Sequence, residues 1–355
     1  MRRRGCIYII TGILLLALTA CGKKTVSEQS RTHRIPQKPL RLTEDEEEEI
    51  ANIPADPLFT EYEDVYNVEM WSKEQTGIEQ ATGICVVENS VYVCDQVGNC
   101  VVELDLDGNY VATHGALGAE EGNFTRPIAI VYHEEKLYVL DYGNSRIQIF
   151  DKKMNYQREV PYRGSGLGPY DAFVDLAVDR DGTIYLSTFT SFINDMAVYY
   201  ISEGGMLEKL TPKMTAMLTE YNGQVYVLNQ MIPCYVGSDI QSAIPAENFL
   251  LTCSKDGLEQ IGELPYKYIP GDFCIVDDVV YTLSMGGTDS IQMNRLNMDG
   301  TLDSAVYIFP DEEREYDRND WTRRSFPWYL HVVSDDLIYT VDYGAGSIYR
   351  LQKKQ

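Results

Sequence analysis

Histidine is scarce in this chain of 355 residues: only four are present, and three of them, His114, His133 and His331, follow the first 57 residues. His133 falls in a short hairpin turn and His114 in a linker expected on the opposite face, so a three-histidine zinc centre is excluded. Basic residues are also few, 30 against 54 acids, giving a formal net charge of -24. Such a chain repels phosphate backbones, and with no basic aromatic stripe a nucleic-acid partner is not expected. There is no nucleophile elbow, phosphate-binding glycine loop, nucleotide fingerprint or close cysteine pair with metal spacing. The apolar run from Ile7 to Leu18 is too short for a comfortable membrane span.

That run is instead the middle of a secretory signal, preceded by Arg2, Arg3 and Arg4 and followed by small residues. Leu18-Thr19-Ala20-Cys21 resembles the bacterial lipobox, which implies cleavage of residues 1–20 and lipidation of Cys21. The mature chain would then be exported and lipid-anchored to the cell membrane, with its folded part outside the cytoplasm. Loss of the three arginines takes the formal charge from -24 to -27, which suits a protein that stays soluble beside an anionic surface. Residues 21–57 contain few aromatics, several prolines and the acidic run Glu44 to Glu49. This composition cannot offset chain entropy by burial and reads as a disordered tether. The acidic run either binds cations or a basic partner, or is simply solvated.

Of eight cysteines, Cys6 leaves with the signal and Cys21 goes to lipid. Export permits disulfides among the remaining six. Cys94 and Cys100 flank the turn Asp95 to Asn99 and are candidates to pair across a hairpin; Cys234 and Cys253 are candidates within one repeat unit. Cys85 and Cys274 lie seven residues before a repeated tyrosine, where other units have Val131, Val178 and Val332. They read as small core residues.

The repeat itself is an aliphatic residue, a tyrosine, two mostly apolar residues and a small polar one, as in Leu137-Tyr138-Val139-Leu140-Asp141. It centres on Tyr92, Tyr138, Tyr185, Tyr226, Tyr281 and Tyr339, at spacings of 46, 47, 41, 55 and 58 residues. Each interval holds one four-stranded unit and is too short for a domain, which is the spacing of propeller blades. The nearly continuous apolar character of this strand suits burial on both faces between blades. Turns at Asp107-Gly108, Asp181-Gly182, Asn222-Gly223 and Asp299-Gly300 supply the positive backbone torsions of tight hairpins. After Tyr339 there is room for one more strand, Ser347 to Leu351, so the last blade lacks its outer strand. Asp64 to Trp71 alternates suitably to fill that place and remove two exposed edges. The expected fold is all-β: residues 58–355 form a six-bladed β-propeller of four-stranded blades, closed by an N-terminal strand.

Two units carry more than periodicity. Pro127 to Ile130, Leu137 to Asp141 and Asn144 to Asp151, with the spaced glycines of Gly115 to Phe124, together resemble the NHL repeat. The match is weaker in units three to five, and units four and five carry long insertions, notably Met231 to Asn248. The resemblance implies a rim around one mouth of the central channel that gathers Asp95, His114, Arg126, Asp141, Tyr142, Asn144, Arg146, Tyr170, Asp342 and Tyr343. Polar groups converging on a concave mouth form a default ligand site. The alternative is structural: an aspartate at a strand end caps its own turn, and Arg146 ties blades together.

Six-bladed propellers similar to this one include peptide-amidating lyases and calcium-dependent lactonases. The histidine inventory removes the first. A calcium site needs only oxygen ligands, and calcium stays the one cofactor in view, although no spacing selects its acids. The leading expectation is a surface-anchored module that binds a peptide, a glycan or an envelope protein. The alternatives are a calcium-assisted hydrolase or lyase and an assembly subunit that uses the long insertions.

Overall fold

The computed structural model describes residues 40–42, 65–164, 172–189, 197–211, 215–236, 240–244, 249–264, 270–284, 292–307, 327–342 and 346–355. The signal, Cys21, Tyr170, Tyr343 and the side chain of Cys234 lie outside what it describes.

Blade one comprises Ala81–Val87, Ser90–Asp95, Cys100–Asp105 and Tyr110–His114, an antiparallel meander whose strand order follows the sequence. Blades two, three and five repeat it, beginning at Pro127, Ala172 and Pro270. In blade four the second strand is extended to Gln224–Val236. Its far half pairs with Ile240–Ile244 and, in parallel, with Leu40–Leu42, so part of the long insertion and a short piece of the N-terminal segment form an annex to that blade. Blade six is Pro327–Ser334, Leu337–Asp342 and Ser347–Lys353, and its outer strand is Tyr66–Trp71, in register from Tyr66 opposite Lys353 to Trp71 opposite Ile348. The chain is a six-bladed β-propeller closed by its N-terminal strand.

The first strand of each blade packs against the first strands of both neighbours, which makes these strands the wall of the central channel. Blades one and two approach so closely there that a Cβ on Gly83 would lie 2.7 Å from the Ala129 Cα; only glycine fits. Five of the six repeated tyrosines are buried, Tyr226 being half-buried, and three of them join blades through their hydroxyls. Tyr92 donates to the Lys152 carbonyl of blade two, Tyr281 to Asp335 of blade six, and Tyr339 to the Leu106 carbonyl of blade one.

The pleat corrects the expected cysteine pairs. Cys94 stands opposite Val101, whereas Cys100 stands opposite Asp95. The two cysteines therefore point to opposite faces of one hairpin, and each packs in a different apolar cluster as a free thiol. Cys253 is also free; its cross-strand partner is Val225, nine positions before Cys234 on the same strand, about 30 Å at strand rise.

Candidate functional site

At the rim, Asp95, Asp141 and Asp342 end the second strands of blades one, two and six and are all buried. Asp95 accepts backbone N–H groups from Glu79, Gln80 and Gly98, at 2.8, 3.0 and 2.9 Å. It fastens the linker entering its own blade. Asp141 accepts from the Thr125 N–H, the Asn144 amide and Arg146 Nε, each at 2.8 Å. Arg146 goes on to Glu159 and to the carbonyls of Glu120 and Asn123. These three candidates thus meet in one network that clamps the linker between blades one and two. His114 lies apart, on the outer strand of blade one, with Nε2 2.9 Å from Glu103 Oε2.

Arg126 and Tyr142 differ from the clamp. Arg126 is exposed, and its backbone takes the left-handed conformation at φ +56° immediately before Pro127. Its N–H donates to Asn99 Oδ1, and its guanidinium lies over the half-buried Tyr142 ring, 5.2 Å from the centroid. Asn99 in turn binds the carbonyl of Val97, which is 57% exposed, and Asn144 binds the carbonyl of Gly118 beside Leu117, which is 71% exposed. A cation stacked on an aromatic ring is therefore tied by hydrogen bonds to loops that carry two exposed aliphatic residues, on an otherwise acidic protein.

The channel holds a second constellation that sequence reasoning missed. Near the start of every first strand the ladder shifts register, as between Phe173 and Asp175 and between Pro270 and Phe273. Such bulges re-aim side chains. Asp175 accepts N–H groups from Leu176 and, across the blade boundary, from Leu218, at 2.8 and 2.7 Å. Asp272 does the same with Phe273 and with Leu330 of blade six, at 2.8 and 2.6 Å. Tyr329 spans the ring and donates to the Val174 carbonyl on the opposite blade at 2.7 Å. At the other end of the channel wall, His133 Nδ1 of blade two is 3.5 Å from Glu220 Oε2 of blade four. Between these ties lies a cavity of ≈ 220 Å³.

His331 lines this cavity too, which corrects the register expected from the tyrosine spacing. The partners of Tyr185 and Tyr339 are Ala177 and His331, not Val178 and Val332. A longer first turn in blade three and a bulge between Val332 and Ser334 in blade six each add one residue. His331 therefore occupies the position of Cys85 and Cys274, the partners of Tyr92 and Tyr281.

Burial dominates the electrostatics. It pushes the Asp175 carboxyl up to about 7 despite its two N–H donors. Asp272 is likewise raised well above the ordinary carboxyl value, first from burial and then from the charge of Asp175. Burial pulls the His331 imidazole down to about 4. The folded chain therefore holds the Asp175 proton more tightly than the unfolded chain does. The resulting stability is fully present below the ordinary carboxyl value of 3.8 and is lost as pH rises through about 7. Asp175→Asn is expected to flatten the decline in stability across that window, as read by urea unfolding at pH values of about 4.5 and 7.5. An unchanged slope would mean that this carboxyl is not shielded from water.

The DUF5128 family, described as a 6-bladed beta-propeller, matches residues 118–203. No curated protein matches the chain in sequence. Among solved structures, a structural genomics protein of unknown function from Bacteroides thetaiotaomicron is similar with a TM-score of 0.55 at 13% identity, over 83% of this chain and 77% of that one. Regucalcin from Agrobacterium tumefaciens, described as a calcium-binding protein, reaches 0.53 at 10% identity, over 82% and 97%. A luciferin-regenerating enzyme gives 0.53 at 10% identity, over 81% and 95%. The likeness is one of fold. Among the described residues, no group of three or more histidine, cysteine or acidic side chains is placed to hold a metal ion.

Proposed function

We propose that this chain is an exported lipoprotein, anchored through Cys21, whose propeller is a recognition module that binds an anionic peptide or glycan at the rim of blades one and two. The observation that carries this reading is exposed Arg126, held in a left-handed backbone with its guanidinium over the Tyr142 ring. Backbone strain kept at an exposed cation is a mark of functional placement. A guanidinium stacked on an aromatic ring suits a carboxylate-bearing ligand, and the exposed aliphatic residues of the loops tied to it add contact area. The clamp of Asp141, Asn144 and Arg146 serves as the support that fixes this surface.

The test is binding of the protein to arrays of acidic peptides and uronic-acid glycans, compared between the unaltered chain and the Arg126→Ala and Tyr142→Ala variants. Each variant is expected to weaken a bound ligand by about tenfold, as for a contact residue; Arg126→Ala should leave the melting temperature unchanged, whereas Tyr142→Ala also removes a half-buried ring that packs against the core. Equal affinities would remove the rim as the site. The calcium-assisted hydrolase or lyase remains the second reading, supported by the fold likeness alone. It requires a calcium-selective rise in melting temperature after EDTA treatment that magnesium does not reproduce.

A further inference from the structure

The channel cavity combines apolar walls with several carboxyl groups. Ile84, Ile130, Leu176 and Phe273 supply the walls, and Asp175, Asp272 and Glu220 supply three carboxyl groups. Among the described residues, no lysine or arginine lines it. A buried carboxylate is tolerated when it is protonated or when a cation lies beside it. Each oxygen of Asp175 and Asp272 accepts one backbone N–H, and each retains a lone pair for a further donor. His133, 7% exposed and lining the same cavity, has no hydrogen-bond partner for Nε2 among the described residues.

We propose that this cavity binds a small organic cation, a primary ammonium on a short aliphatic body, with its N–H groups directed at Asp175 and Asp272. Three features favour this ligand over a hard metal ion. The carboxyl groups sit on different blades, fixed by backbone N–H groups; the walls are aliphatic and aromatic; and no metal-ligand set occurs among the described residues. An ammonium supplies the directed donors and the apolar body that such a site accommodates. The other titratable groups facing the pair are Cys85 of blade one, Tyr132 and His133 of blade two, Glu220 of blade four, Cys274 of blade five, and Tyr329 and His331 of blade six. Burial raises both thiols and lowers the His331 imidazole, so these three stay uncharged near neutrality. The ammonium then takes the place of the proton held by the acid pair, and binding strengthens as pH rises.

The experiment is isothermal titration of the full chain with n-butylammonium chloride, with 1-butanol as the neutral isostere and calcium chloride as the hard cation. It is run at pH values of about 5.5 and 8 in two buffers of different ionisation enthalpy. The expected result is ammonium binding at least about tenfold tighter at the higher pH, with buffer-dependent heats that report proton release. Butanol should bind at least about tenfold more weakly, since it lacks the charge. The Asp175→Asn/Asp272→Asn double variant should lose the ammonium preference. Because that variant also alters two ties between blades, proton release from the unaltered chain provides a readout independent of its folding. Binding of butanol as tight as ammonium, pH-independent affinity, binding of calcium without ammonium, or no heat with any of the three would each overturn the proposal.

Discussion

Trp71→Ala is expected to destabilise the protein by about 3–5 kcal/mol, the loss typical of deleting a fully buried large aromatic side chain. Trp71 is the last residue of the closing strand and is completely buried. Its ring lies against Tyr339 of blade six, 5.6 Å between centroids, and a Cβ on Gly108 of blade one would come within 2.4 Å of it. One side chain from the N-terminal strand thus fills the junction of the last blade and the first. The far end of that strand is held separately: Tyr66 donates to Asp335, which also takes the hydroxyl of Tyr281 and pairs with Lys353. The measurement is equilibrium urea unfolding, where a lower midpoint at constant slope reports lost stability of the whole ring. A second, earlier transition would show that blade six opens on its own. A loss below about 1 kcal/mol would place the closure energy in backbone pairing and the Tyr66 end instead.

The closure was legible in the sequence because it follows from counting: six tyrosines, one strand too few after Tyr339, and one alternating segment before blade one. The buried second strands were equally plain, since an apolar run is a local property. The channel acids were not. Asp175 and Asp272 look like ordinary polar residues near strand starts, and only a register shift in each first strand aims them at the neighbouring blade. Bulges and one-residue differences in turn length leave no composition signal, which is also why the tyrosine spacing points to Val332 where His331 stands. The Cys94 and Cys100 expectation failed for a related reason: closeness along a hairpin says nothing about which face each side chain takes. At the rim the residue types were legible but not their division of labour. Asp141 and Arg146 are consumed in holding the linker, whereas Arg126 is presented outward.

That division yields the second large effect. Asp141→Ala is expected to cost about 3–5 kcal/mol, because it takes from the buried Arg146 guanidinium its one fully buried carboxylate partner and leaves it only the more exposed Glu159. It also strands the Thr125 N–H of the linker and removes a support from the Asn144 amide, which itself holds the linker at the Gly118 carbonyl. Arg146→Lys should recover little of an Arg146→Ala loss. A lysine has one ammonium, while the guanidinium here reaches Asp141, Glu159 and the Glu120 and Asn123 carbonyls with three nitrogens. In a double-mutant cycle, the Asp141→Ala/Arg146→Met pair should cost less than the sum of the single changes, since no buried charge is then left alone. Additive losses would instead mean that water enters and solvates the guanidinium. The same cycle separates support from recognition. Clamp variants should lower the melting temperature and loosen the linker beneath Arg126, so ligand affinity and stability fall together. Arg126→Ala should reduce affinity alone, and only that pattern is consistent with a rim whose binding surface is carried by a rigid clamp beneath it.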